Sequence, residues 1–247
     1  MKSTLKFNAI LFMVAVCMAV FTGCTKEEEE SPYVIERGSV TDVDGNIYET
    51  VKIGNQWWMA ENLRVTSFND GTPISFIPVV IGEDSTWANV DSAAYCFIND
   101  SLFGCLYNAH TLRGAKNIAP AGWHVPTDDE WRELEQTLGM TDEETLQTGW
   151  RGVAEANALT AQYNVGWPAN DQEVGLYGSD YYGFNALPAN VRGLDGQTNT
   201  QNNSAWWWCN STAQEQFYYR TIDTYHQRIF RQVTLPTYGM SIRCVKD

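Results

Sequence analysis

The sequence predicts an α+β fold, in which a few helices precede an antiparallel meander of short strands. Three observations support this prediction. Residues 127–139 have the apolar spacing and the end signals of an amphipathic helix. Residues 47–59 alternate around a Gly-Asn pair, as the two strands of a hairpin do. In residues 240–245, Met240, Ile242 and Cys244 occupy alternate positions, which is the period of a half-buried strand.

The helix over 127–139 begins with Thr127 and Glu130 at the spacing of a capping box, in which each side chain bonds the free amide of the other residue. Asp128 and Asp129 fall in the first turn, where negative charge favours the helix dipole. Helix capping therefore accounts for this acidic group, and we predict no catalytic role for it.

The hairpin is predicted from strands over 47–53 and 56–59, because Gly54 between them readily supplies a positive φ. The turn-rich stretch 41–46 just before it has the pattern that begins a calcium loop. However, Ile53 stands where an EF-hand places its bidentate acid. We therefore interpret 41–46 as a turn and predict no metal site.

Further helices are predicted over 103–116 and 153–161, from the spacing of their apolar residues. The remaining strands are predicted in the last quarter of the chain, where short apolar runs alternate with turn residues. They are 184–189, 204–209, 217–221, 228–235 and 238–245. Because about 210 residues suit one core better than two, we predict a single domain over 38–247.

Residues 1–23 are interpreted as a lipoprotein signal peptide. Lys2 and Lys6 precede a run of apolar residues that is short for a membrane span, and small residues lead to Cys24. We expect cleavage before Cys24 and lipid attachment to its thiol, so that the membrane is a partner through this anchor. An ordinary secretory signal and a single-span anchor are the alternatives.

Residues 24–37 are predicted to be an acidic tether, since the four glutamates at 27–30 repel one another and stay solvated. Acidic residues after a lipidated cysteine resemble the signal that sends Bacteroidetes lipoproteins to the cell surface. We therefore expect an outer-membrane lipoprotein that faces outward. The net charge of −14 disfavours nucleic acid and anionic lipid as partners.

Four cysteines remain in the domain: Cys96, Cys105, Cys209 and Cys244. An even number in an exported protein predicts two disulfides, with three possible pairings. The alternative is that one or both pairs stay reduced and buried. Their spacing is too wide for an ordinary structural zinc site.

Aromatic residues are concentrated near the end of the chain, in Trp206, Trp207, Trp208, Tyr218 and Tyr219. Because neighbours in a strand face opposite ways, at least one of the three tryptophans should approach solvent. Exposed rings can stack on the C–H faces of sugars or bind a protein. We therefore take these five residues as candidate ligand contacts. The alternative is that they fill a loop-rich core.

Six stretches together resemble the Fibrobacter succinogenes major paralogous domain family. They are 40–46, 53–63, 104–108, 119–131, 183–189 and 239–247. This family occurs largely in lipoproteins and surface proteins of Bacteroidetes and Fibrobacteres. Residues 123–131 are also similar to an element of the formylglycine-generating-enzyme fold, which is related to C-type lectin domains. The resemblance implies a C-type-lectin-like domain, with a twisted antiparallel sheet, flanking helices and long loops.

The sequence departs from the family pattern at two cysteines. Cys105 stands where a basic residue is usual, and Cys209 interrupts a stretch that usually reads Trp-Ser-Ser. Two unusual cysteines in one chain suggest that they pair with each other. Comparison with the family thus favours the pairs Cys105–Cys209 and Cys96–Cys244.

These features together predict a non-catalytic surface module that binds a glycan or a protein, with no catalytic residue and no cofactor. One alternative is an oxidase resembling the formylglycine-generating enzyme. That enzyme needs two nearby cysteines to bind copper, and here Cys209 and Cys244 would have to meet in space. The other alternative is a structural component of the cell envelope.

Overall fold

A computed structural model describes most of the predicted domain, within the unit Tyr33–Asp247. The signal peptide, Cys24 and the tether as far as residue 33 lie outside the described residues. The described residues are 34–80, 82, 85–97, 103–162, 166–167, 178–198 and 203–247.

Strands dominate this part of the chain. In chain order they are β1 (Arg37–Thr41), β2 (Ile47–Ile53), β3 (Gln56–Met59), β4 (Ser75–Phe76), β5 (Ala94–Phe97), β6 (Cys105–Asn108), β7 (Trp123–His124), β8 (Gly149–Arg151), β9 (Ser204–Ala213), β10 (Gln216–Asp223), β11 (Ile229–Thr234), β12 (Gly239–Met240) and β13 (Val245–Lys246). The helices are α1 (Ser85–Ala88), α2 (Asp128–Thr137), α3 (Asp142–Leu146) and α4 (Glu155–Leu159), with a 3₁₀ turn at Ala109–Leu112. The α+β prediction is confirmed, with much more strand than helix. The strand predicted over 184–189 is wrong, because this stretch makes only an isolated bridge from Ala186 to Thr160.

The strands form three sheets. The first has the order β1-β2-β3-β13-β7, the second β8-β11-β10-β9 and the third β12-β6-β5-β4. All pairings in the first two sheets are antiparallel. In the third sheet, β4 pairs with β5 in parallel.

The predicted hairpin is confirmed as β2 and β3, with Gly54 at a φ of 59° between them. In the preceding turn, Asp42 accepts hydrogen bonds from the amides of Asp44 (3.0 Å) and Asn46 (2.8 Å). It also accepts the hydroxyl of Tyr48 at 2.5 Å. The Asp42 carboxylate thus stabilises the entry to β2.

Helix α2 has the predicted capping box. The Glu130 amide donates to Thr127 Oγ1 at 3.2 Å, and the Thr127 amide donates to the Glu130 carboxylate at 2.8 Å. Trp131 and Leu134 are buried on the inner face of the helix. The second predicted helix, over 153–161, is present as the shorter α4.

The predicted helix over 103–116 is wrong. This stretch forms strand β6 and the 3₁₀ turn at Ala109–Leu112. Gly104 precedes β6 at a φ of 83°, and a Cβ there would lie 2.7 Å from the Asn62 Cβ. The chain therefore needs a glycine to pass this close to Asn62, which the local apolar spacing does not reveal.

The strand predicted over 238–245 is not continuous, because residues 241–244 do not form a strand. It divides into β12 of the third sheet and β13 of the first. Ser241, Ile242, Arg243 and Cys244 are fully buried between them. The alternation predicted one solvent-exposed face, but this segment passes through the core.

Asn62 joins several of the stretches that carry the family resemblance. Its Oδ1 accepts from Trp207 Nε1 (3.0 Å) and from Arg243 Nε (2.9 Å). Its Nδ2 donates to the Phe103 carbonyl at 2.8 Å, and Arg243 Nη2 donates to the Asn185 carbonyl at 2.9 Å. The polar atoms of this buried node are thereby satisfied, so these stretches specify how the domain packs.

The second sheet contains an irregularity between β9 and β10. Phe217 is opposite Thr212, but Tyr219 is opposite Trp208, so β9 contributes two extra residues at this point. Because two is an even number, side chains on each face remain in phase on both sides of this bulge. Trp206 and Trp208 therefore share one face with Tyr219.

Candidate functional site

A row of side chains crosses the second sheet on its outer face. In register from β9 to β8, it consists of Trp206, Thr221, Phe230 and Trp150. Trp206, Phe230 and Trp150 are each partly exposed, while Thr221 between them is buried. A small side chain thus lies between larger rings, and this makes a depression over β10.

The rings pack against one another along this row. Tyr219 stacks on Trp206, with centroids 5.2 Å apart and planes 20° apart. Phe230 contacts Tyr219 at 6.0 Å and Trp150 at 5.1 Å. Trp150 in turn stacks on His226 at 3.9 Å. Such contacts fix the orientation of each ring before any ligand arrives.

The depression is a groove of about 240 Å³. Its lining includes Trp150, Ser204, Trp206, Tyr219, Thr221 and Phe230. This volume is somewhat below the 300–1,000 Å³ of pockets for drug-sized ligands. The groove therefore suits a small ligand, or one unit of a larger one.

Thr221 lies on the floor of the groove and is only 3% exposed. Its Oγ1 is one of five buried side-chain atoms that have no hydrogen-bond partner among the described residues. A buried hydroxyl without a partner costs about 1–3 kcal/mol. A ligand hydroxyl that reached Thr221 would remove this cost.

Asp223 and Tyr225 line the groove beyond Thr221. Asp223 Oδ1 accepts from the amides of Tyr225 and His226, both at 2.9 Å, and lies 2.9 Å from His226 Nδ1. These bonds fix the turn after β10 and hold His226 against Trp150. The Asp223 carboxyl group thus lies at this end of the groove, bonded to the turn after β10.

The five predicted aromatic contacts have different positions. Trp206 and Tyr219 line the groove, and their role in binding stays a prediction. Trp207 and Trp208 are wrong as candidates, because both are buried and have partners. Trp207 bonds Asn62, and Trp208 Nε1 donates to the Tyr107 carbonyl at 2.7 Å. Tyr218 is on the opposite sheet face, beneath the guanidinium of Arg231 at 4.4 Å.

Trp150, Thr221 and Phe230 were missed by sequence reasoning. Trp150 is more than fifty positions before Trp206, and only the pairing of β8 with β11 brings it to the row. Phe230 and Thr221 lie in predicted strands, and their alternation was a usable signal for the outer face.

Both disulfide predictions are wrong, since Cys96, Cys105, Cys209 and Cys244 are free and buried. Cys105 and Cys244 lie in one apolar cluster, Cys209 in a second and Cys96 in a third, so neither predicted pair shares a cluster. The alternative of reduced, buried cysteines is what the structure has.

Burial raises the pKa of each of these thiols. The pKa is raised to about 11 for Cys96 and to about 12 for Cys105 and Cys209, and it is also raised for Cys244. The thiols are therefore protonated at neutral pH, and none is poised as a nucleophile or a metal ligand.

The inner face of the second sheet bears a buried ionic network. Glu135 of α2 bonds Arg151 at 2.7 Å through each carboxylate oxygen, and Arg220 Nε at 2.7 Å. Asp128 accepts from Arg220 Nη1 at 2.8 Å and from Arg231 Nη2 at 2.6 Å. Asp128 thus does more than favour the helix dipole, because it holds α2 on two strands of the sheet.

A larger cleft, of about 390 Å³, is lined by Glu61, Asn62 and Arg64 among others. Its charged groups are already paired, with Arg64 Nη1 at 3.0 Å from Glu61 Oε2. It also lacks a row of stacked rings. Among the described residues, no group of three or more His, Cys, Asp or Glu side chains is arranged to hold a metal ion.

The fold and the site define an α+β domain, mostly β-sheet, with an aromatic groove on one sheet face. The chain belongs to the Fibrobacter succinogenes major domain family, which matches residues 51–246. No curated protein and no solved structure matches the chain. The C-type-lectin-like fold consequently stays a prediction. No helix within the described ranges has both the length and the apolar character to cross a membrane.

Proposed function

We propose that this protein is a carbohydrate-binding lipoprotein of the cell surface, and that the aromatic groove is its binding site. One observation carries the proposal: the stacked Trp206–Tyr219 pair borders a groove whose buried floor holds the Thr221 hydroxyl, which has no hydrogen-bond partner among the described residues. A sugar offers both complementary features. Its C–H face packs on an aromatic ring, and its hydroxyls exchange hydrogen bonds with polar groups beside the ring.

The polar rim supports a sugar over a purely apolar ligand. Ser204 Oγ accepts from Trp206 Nε1 at 2.9 Å and lies at the edge of the groove with Asn203. Ligand pockets usually combine aromatic walls with a few placed polar groups of this kind. A protein partner would more often need a larger and flatter surface.

The proposed location is the outer face of the outer membrane. It rests on the apolar run before Cys24 and on the glutamates that follow it. Lipid on Cys24 would hold the chain at the membrane, and the acidic tether would keep the domain away from the bilayer. Protease treatment of intact cells tests the location, since an outward-facing domain is digested and a periplasmic one is protected.

A binding role accounts for the cysteines better than copper-dependent oxidation does. Cys209 and Cys244 lie in separate apolar clusters, and burial raises the pKa of both thiols. Copper prefers thiolates that lie close together. We therefore propose no catalytic step.

A glycan array probed with the purified domain tests the binding role. The wild type is compared with Trp206→Ala and with Tyr181→Ala, which removes an exposed ring from a different cleft. We expect the wild type and Tyr181→Ala to bind the same glycans, and Trp206→Ala to lose them. Binding that survives Trp206→Ala would place the site elsewhere. An array without any bound glycan, together with specific capture of a protein, would replace the proposal with a protein partner.

A further inference from the structure

We infer that the groove holds the terminal ring of an uncharged glycan chain, at its non-reducing end. This inference rests on the proposed glycan-binding function and narrows its ligand. It follows from the shape of the groove, from its closed end, from its charge and from the Thr221 hydroxyl.

The groove is one ring wide. Trp206 and Phe230 are on strands separated by β10, so their backbones are two strand spacings apart, about 9.5 Å. Thr221 lies between them on the floor. A ring that touches both walls at the usual contact distance of about 3.5–4.0 Å occupies most of this width.

One end of the groove is closed. The Tyr219 ring lies 5.2 Å from Trp206 and 6.0 Å from Phe230, and Tyr219 is only 8% exposed. The opposite end passes Asp223 toward Tyr225, which is 58% exposed. A glycan chain that follows the groove along the sheet is stopped at Tyr219 and leaves past Tyr225, so the unit inside the groove is a chain terminus. Glycans anchored to a surface or a protein are attached through the reducing end, which leaves the non-reducing end free to enter.

The charge near the open end selects among sugars. Asp223 lies there, and the whole chain has a net charge of −14. Uronic acids, sialic acids and sulfated sugars would therefore be repelled. A neutral sugar meets no such cost.

The Thr221 hydroxyl separates a sugar from an ammonium ligand. Aromatic walls beside a carboxylate also suit a quaternary ammonium group, through cation–π contacts. Such a group has neither donor nor acceptor, so it would leave Thr221 Oγ1 without a partner. A sugar hydroxyl at the same depth bonds Thr221.

Calorimetry on the full domain tests the inference, with the best neutral glycan from the array. The glycan is offered with its non-reducing end free, with that end blocked by a bulky group, and in longer forms that share the same terminus. We expect the blocked form to lose binding and the longer forms to bind no more than a few-fold tighter. Equal binding of free and blocked forms would show an internal site and overturn the inference, while glycan binding itself would stand.

Thr221→Val and Thr221→Ser test the floor of the groove. Valine keeps the shape and removes the hydroxyl, so we expect about tenfold weaker binding, whereas serine should stay within a few-fold of wild type. Unchanged affinity in Thr221→Val would contradict the proposed contact. Competition by choline, with affinity unaffected by Thr221→Val, would instead assign the groove to a quaternary ammonium. Loss of every ligand in both variants, with unfolding midpoints no lower than that of the wild type, would also count against a hydroxyl contact.

Discussion

The two faces of the second sheet differ in their side chains: partly exposed aromatic rings lie on the outer face, and buried ion pairs lie on the inner face. On the outer face, Trp206, Phe230 and Trp150 leave part of each ring exposed around a hydroxyl that no described residue bonds. On the inner face, the next residues along β11 and β8, Arg231 and Arg151, are buried and bonded to carboxylates of α2. Neighbouring positions in one strand thus have unrelated environments, because the pleat turns them to opposite sides.

This difference indicates that the inner face contributes more to the stability of the domain than the outer face does. The inner face pairs each of its buried guanidinium groups with a carboxylate, although Arg151 Nε itself has no hydrogen-bond partner among the described residues. Removal of one carboxylate would leave its guanidinium partners unpaired in the core. On the outer face, no described residue bonds the Thr221 hydroxyl, which lowers stability. The following predictions test this contrast, from the largest expected effect to the smallest.

Glu135→Ala should be the most damaging change. Glu135 is fully buried and bonds both Arg151 and Arg220, so its loss leaves two guanidinium groups without this partner. We expect a loss of about 3–5 kcal/mol in the free energy of unfolding, measured by urea denaturation. Asp129→Ala is the control on the same helix. Its carboxylate pairs with Arg132 at the surface, so it should cost at most about 1 kcal/mol. Similar losses in the two variants would contradict the importance of burial.

Trp207→Ala and Trp206→Ala compare the two faces directly. Trp207 is buried and bonded to Asn62, so its removal should cost about 3–5 kcal/mol of unfolding free energy. Trp206 is partly exposed, and its removal should cost about 1–2 kcal/mol while abolishing glycan binding. Denaturation and binding assays on the same preparations measure both effects. A larger stability loss for Trp206→Ala would reverse the assignment of the faces.

Asp128→Asn should change the response to acid. Burial alone would raise the pKa of Asp128, but the hydrogen bonds and charges of Arg231 and Arg220 outweigh it and lower the pKa. The stabilising contribution is therefore present above the unfolded-state pKa of about 3.9, and it is lost as pH falls through the lower, folded-state pKa. We expect Asp128→Asn to lose about 1.5–3 kcal/mol at neutral pH and to show a shallower loss of stability in acid. Parallel acid profiles of the two proteins would show that Asp128 does not supply this dependence.

Thr221→Val should have the smallest effect, with the opposite sign. A methyl group replaces a buried hydroxyl that has no partner within the described ranges, so the free energy of unfolding should rise by about 1 kcal/mol. Thermal denaturation without ligand measures this gain. A decrease in stability would mean that the hydroxyl is already satisfied in the free protein.

Local signals in the sequence predicted the local elements. The Thr127–Glu130 capping box and the turn at Gly54 depend on residues within a few positions of one another, and both are confirmed. The helix predicted over 103–116 is wrong because Gly104 packs closely against Asn62, which is about forty positions earlier in the chain. The half-buried strand predicted over 238–245 is wrong at residues 241–244, because the core surrounds these residues on all sides.

The candidate site was predictable only in part. Trp206 and Tyr219 were visible as a concentration of aromatic residues, but the sequence does not tell which members of such a group are buried. Trp150 joins the groove through the pairing of β8 with β11, a contact between distant parts of the chain. The even number of cysteines predicted disulfides, but this number does not tell how far apart the cysteines lie in space. The four thiols lie in three separate apolar clusters.

The two-residue bulge in β9 makes the sheet unequally tolerant of insertions and deletions during evolution. Deletion of both extra residues would leave Trp206 and Trp207 on their present faces and only remove a local twist. Deletion of a single one would exchange the faces on one side of the bulge. We therefore expect relatives of this protein to differ in length here by even numbers of residues.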